Sequence, residues 1–293
     1  MVDSIDLSPF YTDNIPEQHV QAEKLSEICQ LHGFFKIINH PFTKERLDQL
    51  ISLSHDFFTE LEDEEKKELM PKMWNSHSKN EYRGFFPSKV NGKEGLDMGN
   101  FFFDGNSGDD QQFKEYFEKN LLPKGSKWEE WVEFMREYYA DMLELGKVIM
   151  RVFALSLDVE MDYFERHFDH ESTISTLRLN YYPFTENFKS DNIADDGTVL
   201  GCEIHKDSVA VTILYQPSVG GLQIESQGEW IEVDPEPYDF VVNTGMLMER
   251  WTNGFYHAAN HRVRASTEER ISVPFFMEPS VHSIIEPFFF IFF

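Results

Sequence analysis

The sequence predicts an α+β fold: a double-stranded β-helix (jelly-roll) core with N-terminal and flanking helices. Three observations carry this reading. Short apolar runs separated by turn residues recur between Val209 and Arg264, the spacing of strands in a barrel or sandwich. The first half instead repeats its apolar residues at intervals of three and four, the period of helices buried by one face. His205-Lys-Asp207 and a later His261 place ligand-type side chains in the strand-rich half, and a jelly roll is the all-β architecture that holds a ligand between two sheets.

Taken in order, a helix is expected from about Glu17 to Leu31, where Val20, Leu25, Ile28 and Leu31 share a face. Phe34 to Ile38 reads as a short apolar strand and Lys44 to Phe58 as a second helix. The charged stretch from Glu60 to Lys67 reads as solvated surface, and Asn106-Ser-Gly-Asp-Asp110 as a loop. Trp128 to Leu157 is a long helix whose Trp131, Phe134, Tyr138, Met142, Leu145, Ile149 and Val152 form a core face. Strands follow at Thr176–Tyr182, Val209–Gln216, Gly220–Ile224, Glu229–Pro235 and Tyr238–Gly245. Asn253-Gly254 is a hairpin turn signal, and His261-Arg-Val-Arg264 alternates as a strand does. The closing Glu286-Pro-Phe-Phe-Phe-Ile-Phe-Phe293 is too apolar to leave in water. It is expected to pack on the chain's own core, with a lid over the site or a subunit contact as the sharper readings.

Length and charge bound the function. The chain of 293 residues can form one domain, with 1–170 a mostly helical region packed on a jelly-roll core at 171–280. Its 52 acidic against 26 basic side chains repel nucleic acid and anionic membrane at long range. A small-molecule partner and a monomer or weak homo-oligomer are expected instead. The start has no basic, apolar leader, no apolar run is long enough to span a bilayer, and two cysteines make no disulfide framework. Together these suit a reducing cytoplasm.

The chemistry centres on His205 and Asp207. In a strand, residues i and i+2 face the same side, so these two converge while Lys206 points away. With His261 from a distant strand they make two imidazoles and one carboxylate, the set that binds one face of a non-haem Fe(II) and leaves the other open. Arg270 and Ser272 share a face by the same parity; a guanidinium and a hydroxyl together can hold a carboxylate, although a surface arginine after Glu268-Glu269 is the plainer reading. His257 has the strand parity of His261 and reads as a rim residue.

These residues, together with Ile5-Asp-Leu-Ser8, Gly33-Phe-Phe-Lys-Ile-Ile-Asn-His40, Tyr82-Arg-Gly84, Asn180-Tyr-Tyr-Pro183, Gly220-Gly-Leu-Gln223 and Trp251-Thr-Asn-Gly254, run in order along nearly the whole chain. The set resembles the Fe(II)- and 2-oxoglutarate-dependent dioxygenases, in their isopenicillin N synthase-like branch. The resemblance implies His205, Asp207 and His261 as iron ligands, and Arg270 and Ser272 as the pair that holds the distal carboxylate of 2-oxoglutarate. It implies Asn180 and Tyr182 as lining the same site. The implied cofactors are Fe(II), 2-oxoglutarate and O2, and the implied activity is oxidation of an unactivated C–H bond with release of succinate and CO2. Lys206 stands where the family often has Thr, Met246 where many members have Asp, and Pro41 where Gly is common; none is a ligand. Two rival classes share these motifs: an Fe(II) oxidase that dispenses with 2-oxoglutarate, and a non-catalytic jelly-roll ligand-binding protein.

If Asn180 and Tyr182 line the cosubstrate site, strand parity turns Arg178 into the same cavity. An inward arginine needs an anion, either an internal Asp or Glu or a substrate carboxylate. The second option predicts a small, carboxylate-bearing, amino-acid-like substrate gripped by Arg178. Phe276 and Glu278 continue the parity of Ser272 and are further candidates for the substrate wall.

Overall fold

A computed structural model describes residues 2–12, 14–87, 93–103, 116–183, 192–217, 219–266 and 268–288. The N-terminal part contributes the strands β1 (Ser4–Asp6), β2 (Phe34–Ile38), β3 (Gly84–Phe86) and β4 (Glu94–Met98). The jelly-roll part runs from β5 (Thr176–Tyr182) through β6 (Leu200–His205), β7 (Val211–Tyr215), β8 (Leu222–Ser226), β9 (Glu229–Glu232), β10 (Phe240–Thr244) and β11 (His261–Arg264) to β12 (Arg270–Met277). Two sheets face each other. The larger has the strand order β1-β2-β10-β7-β12-β5-β4-β3, and the smaller the order β6-β11-β8-β9. The chain passes repeatedly from one sheet to the other, so side chains distant in sequence meet between them.

The N-terminal part is less purely helical than its periodicity predicts. All four of its strands are hydrogen-bonded into the larger sheet, and only β2 was anticipated. β1 and β3 have three residues each, too short to show a period, and β4 contains Gly95, which weakens any strand signal.

The helices α1 (Ile15–Leu31), α2 (Lys44–Glu60) and α4 (Glu129–Ser156) fall close to their expected places. Thr43 caps α2, its Oγ1 accepting from the Arg46 N–H at 3.3 Å. The charged stretch forms the short helix α3 (Asp63–Glu68), with no buried residue. On α4, Tyr139 packs edge-on against Phe275 of β12 at 5.4 Å and Phe153 against Phe35 of β2 at 6.3 Å. The core therefore lies between α4 and the outer face of the larger sheet. Each large apolar side chain buried there stabilises the fold by about 1.5–3 kcal/mol.

β12 shows how one strand serves two purposes. Ile271, Val273, Phe275 and Met277 belong to the helix-facing core, while Arg270, Ser272, Pro274 and Phe276 line a cavity between the sheets. β5 divides in the same way, with Leu177, Leu179 and Tyr181 in the core and Arg178, Asn180 and Tyr182 on the cavity.

One turn expectation and one strand expectation are corrected. Asn253-Gly254 does not join paired strands. It ends α5 (Met246–Trp251), where both residues take positive φ (52° and 79°) and the Gly254 N–H returns to the Glu249 carbonyl at 2.7 Å, a helix-terminating device. The two-residue hairpin is Gln227-Gly228, also at positive φ, between β8 and β9. His257 lies outside any strand. Its Nδ1 is 3.8 Å from Glu249 and its side chain is half exposed.

The apolar C-terminus packs on the core as far as it is described. The Phe288 N–H donates to the Trp251 carbonyl at 2.9 Å, and its ring lies 4.9 Å from that of Tyr163. Residues 289–293 and the expected loop at 106–110 lie outside the described residues. Among the described residues no helix is long and apolar enough to cross a membrane.

Candidate active site

β6 and β11 are antiparallel neighbours in the smaller sheet, and their register sets His205 directly across from His261. The imidazole centroids are 4.1 Å apart. Asp207 follows two residues after His205, just past the end of β6. Its Oδ1 is 3.6 Å from His205 Nε2 and 3.7 Å from His261 Nε2. The ligand atoms of all three lie within 4.8 Å of one another, and among the described residues no other such group of His, Cys, Asp or Glu forms. The distances exceed direct hydrogen bonds and leave a space between three donors. His205 Nδ1 is 2.7 Å from the Glu203 carbonyl. A proton on Nδ1 donated to that carbonyl leaves Nε2 with a lone pair facing the centre, the tautomer a metal requires.

Asp207 is tied to the larger sheet. Its Oδ2 accepts from Thr212 Oγ1 of β7 at 2.5 Å and from Asn243 Nδ2 of β10 at 2.9 Å. Burial alone would raise this carboxyl's pKa. His261, the hydrogen bonds from Thr212 and Asn243, and His205 outweigh it and hold the pKa below its ordinary value. Burial also lowers the pKa of His261, partly opposed by Asp207. Both shifts favour an ionised carboxylate and a neutral imidazole, the forms that bind metal. The turn after Asp207 is close-packed: a Cβ on Gly245 would stand 2.0 Å from the Val209 carbonyl oxygen, so only glycine lets α5 begin there.

Thr212 and Asn243 were missed in the sequence. Each is a polar residue inside an otherwise apolar strand, in Val-Ala-Val-Thr-Ile and Val-Val-Asn-Thr. A buried polar side chain must find a partner, and that was the available signal.

The second cluster lies where β5 pairs with β12. The register sets Tyr182 opposite Arg270 and Asn180 opposite Ser272. Arg270 is 3% exposed. Its Nε donates to the Val219 carbonyl at 3.1 Å, its Nη2 donates to Gln216 Oε1 at 3.0 Å, and its Cζ sits 4.9 Å from the Tyr182 ring centroid. Nη1 is buried without a hydrogen-bond partner, and so is Asn180 Oδ1. Among the described residues no carboxylate pairs with Arg270. A buried guanidinium without a carboxylate partner is costly, and this one, which lines the cavity, fits a ligand carboxylate. The donor triad and this cation line one cavity, so the residues present fit both an iron ion and a dicarboxylate cosubstrate.

Arg178 lines the cavity as parity predicts, but its guanidinium is already engaged. Nε donates to Asp97 Oδ1 at 2.5 Å and Nη2 to Asp97 Oδ2 at 2.8 Å. The expectation that it grips a substrate carboxylate is therefore corrected: an internal carboxylate on β4, its Cα partner across the ladder, meets the charge. Phe276 lines the cavity. Glu278 does not. β12 ends at Met277, and the chain beyond it is held by Thr173 and Ser175, whose hydroxyls both donate to the Glu278 carbonyl.

The comparisons with known proteins agree with this geometry. Residues 173–279 match the family model of the 2OG-Fe(II) oxygenase superfamily, and residues 2–125 match that of the non-haem dioxygenase in morphine synthesis N-terminal region. Isopenicillin N synthase from Amycolatopsis lactamdurans is 31% identical over 291 residues, 98% of this chain and 88% of that one. The Penicillium chrysogenum isopenicillin N synthase is 30% identical over 291 residues, covering 98% and 87%. Among solved structures, a full-length Neurospora crassa protein in complex with alpha-KG and thymine superposes at TM-score 0.81 and 24% identity, covering 98% and 88%. The Arabidopsis thaliana dioxygenase for auxin oxidation, with 2-oxoglutarate, superposes at 0.73 and 23%, covering 98% and 96%. These two likenesses speak for the jelly-roll fold alone; the sequence relatives extend over the full site. The chain thus belongs to the 2OG-Fe(II) oxygenase superfamily, dioxygenases that work with Fe(II), 2-oxoglutarate and O2.

Proposed function

We propose that this chain is a non-haem Fe(II)- and 2-oxoglutarate-dependent oxygenase that oxidises an unactivated C–H bond of a small metabolite and releases succinate and CO2. Hydroxylation, desaturation and oxidative ring closure are all outcomes of that chemistry. The observation that carries the reading is one cavity holding both an open His-Asp-His triad and a buried guanidinium with a free Nη1. In this reading His205, Asp207 and His261 hold the iron. Bound iron, with O2 and 2-oxoglutarate, supplies the oxidising power, and the protein supplies placement.

That placement can be read from the side chains. The Val219 carbonyl and Gln216 fix the guanidinium plane of Arg270 from two sides. Its remaining edge, with the Ser272 hydroxyl, offers a two-point grip for the distal carboxylate of 2-oxoglutarate. Tyr182 and Asn180 border the same site. Thr212 and Asn243 keep one Asp207 oxygen occupied, leaving the other for metal. Leu214, Leu222, Val263 and Phe34 wall the cavity with apolar surface, which limits water at the reacting centre.

The test is succinate release with Fe(II), 2-oxoglutarate and O2 across a panel of small metabolites. Substrate-stimulated succinate supports the reading. The 31% identity to isopenicillin N synthase favours a second one, an Fe(II) oxidase that does without 2-oxoglutarate. Equilibrium binding separates them: in the first reading 2-oxoglutarate binds the substrate-free protein through Arg270, and in the second it does not.

A further inference from the structure

The Arg178–Asp97 pair that displaces the expected substrate clamp forms a surface of its own. Arg178 is on β5 and Asp97 directly across on β4. Two rings flank the guanidinium, with the centroid of Phe86 at 5.1 Å and that of Phe276 at 5.2 Å from Cζ. Phe86 can lie there because Gly95 is beneath it: a Cβ at Gly95 would stand 2.0 Å from the Phe86 ring. Both Arg178 and Phe276 line the cavity that contains the triad. They lie at the end of β5 away from Tyr182 and Arg270, where the cosubstrate is placed.

Charge decides what this end can accept. Asp97 takes both Nε and Nη2 of Arg178, so guanidinium and carboxylate cancel. Among the described residues Nη1 has no hydrogen-bond partner. A substrate carboxylate reaching Nη1 would share the guanidinium with Asp97, 15% exposed, so that two carboxylates face one buried cation. That arrangement is unfavourable. An uncharged acceptor adds no second anion: a carbonyl can take the N–H of Nη1 while the pair stays closed. The Phe276 ring, which lines the cavity, suits a planar ring.

Resting on the oxygenase reading above, we propose that Asp97 is a specificity-determining residue: it neutralises Arg178 so that the site selects an uncharged, planar, carbonyl-bearing ring compound over a carboxylate. Arg178 donates to the carbonyl through Nη1, Phe276 supplies ring contact, and Asp97 opposes anions at this end by occupying this cation.

The test uses full-length wild type and Asp97→Asn with two panels matched in size, uncharged cyclic amides and imides and the corresponding ring carboxylates. Two quantities are read: compound-stimulated succinate with Fe(II), 2-oxoglutarate and O2, and calorimetric binding to anaerobic protein loaded with Mn(II) and 2-oxoglutarate. Wild type is expected to bind and turn over members of the uncharged panel. Asp97→Asn leaves the Arg178 charge unmatched and should move the ratio of affinities toward carboxylates by about tenfold or more. Asp97→Asn combined with Arg178→Gln, which removes both charges, should return the preference to uncharged rings. Tighter binding of carboxylates by wild type, no binding of any uncharged ring to protein that binds 2-oxoglutarate normally, or an unchanged ratio in a folded Asp97→Asn would each overturn the proposal. If Asp97→Asn does not fold, the wild-type panels decide alone. Failure of wild type to bind 2-oxoglutarate would overturn the oxygenase reading instead.

Discussion

Arg270 and Arg178 line the same cavity from adjacent strands, yet the protein treats them in opposite ways. Arg270 is held by a carbonyl and an amide and has no carboxylate among the described residues. Arg178 is closed onto Asp97 through two charge-assisted hydrogen bonds. The first is a buried cation without a carboxylate partner among the described residues. The second is a cation already cancelled. The difference teaches that an arginine's direction and its availability are separate properties. Direction follows from strand parity, which is local. Availability depends on what the neighbouring strand presents, and Asp97 lies 81 residues away in sequence.

The largest effect is expected at the centre both arginines border. His205→Ala, Asp207→Ala and His261→Ala should each reduce succinate formation to background, while circular dichroism and the thermal midpoint show a folded protein. The large core lies on the other face of the sheet and does not depend on these side chains. Wild-type turnover at limiting iron in all three variants would refute the triad.

Next comes the first of the two arginines. Arg270→Ala should weaken 2-oxoglutarate binding by about 2–5 kcal/mol, because the cosubstrate carboxylate is left buried without its partner. Fe(II) affinity should change far less. Arg178→Ala should leave 2-oxoglutarate affinity near that of wild type. Equal losses of 2-oxoglutarate binding in the two variants would erase the contrast between the arginines.

How much of this was legible in the sequence follows the same division. Periodicity located α1, α2, α4 and most jelly-roll strands, because a long element repeats its burial pattern several times. The parity of His205 with Asp207, and of Asn180 with Tyr182, Arg270 with Ser272 and Ser272 with Phe276, gave the cavity face correctly. What failed depended on partners far away in the chain. Asp97 sits on a strand interrupted by Gly95. Thr212 and Asn243 reach Asp207 from the opposite sheet. Glu278 lost its parity because β12 stops one residue earlier. Asn253-Gly254 supplied the left-handed backbone of a hairpin, but a helix end uses the same conformation.

A third arginine extends the comparison and carries a pH prediction. Arg83 donates to the Thr176 hydroxyl at 3.0 Å and the Ile174 carbonyl at 3.2 Å, so the nearby Glu278 gains only a partial electrostatic benefit from it. Burial pushes the Glu278 carboxyl up to about 7, with Arg83 opposing. The unfolded chain releases this proton in the ordinary carboxylate range, whereas the folded protein keeps it until near neutrality. The protonated form therefore stabilises the fold at low pH, and that contribution is lost as pH rises through the folded pKa. Glu278→Gln, a neutral mimic, should be more stable than wild type above pH 7 by up to about 3 kcal/mol, and the gain should shrink as pH falls toward 5. Urea unfolding across that range measures it. A pH-independent difference would show that the carboxyl ionises freely.

The smallest effect is expected at Lys206, which lies between two proposed ligands in sequence but not in space. It follows the last residue of β6, and its Nζ meets Glu249 Oε2 of α5 at 3.6 Å. Both side chains are about a third exposed (33% and 29%), so solvent screens the pair, and such contacts contribute roughly 0–1 kcal/mol. The backbone link from the Met246 N–H to the Asp207 carbonyl at 2.7 Å does not involve the lysine side chain. Lys206→Thr should therefore change unfolding free energy by less than about 1 kcal/mol, with Fe(II) affinity unaltered by calorimetry. A tenfold loss of iron affinity would show that the Lys206–Glu249 contact holds the turn after His205, and that proximity in sequence to the metal centre matters here as much as the face a side chain occupies.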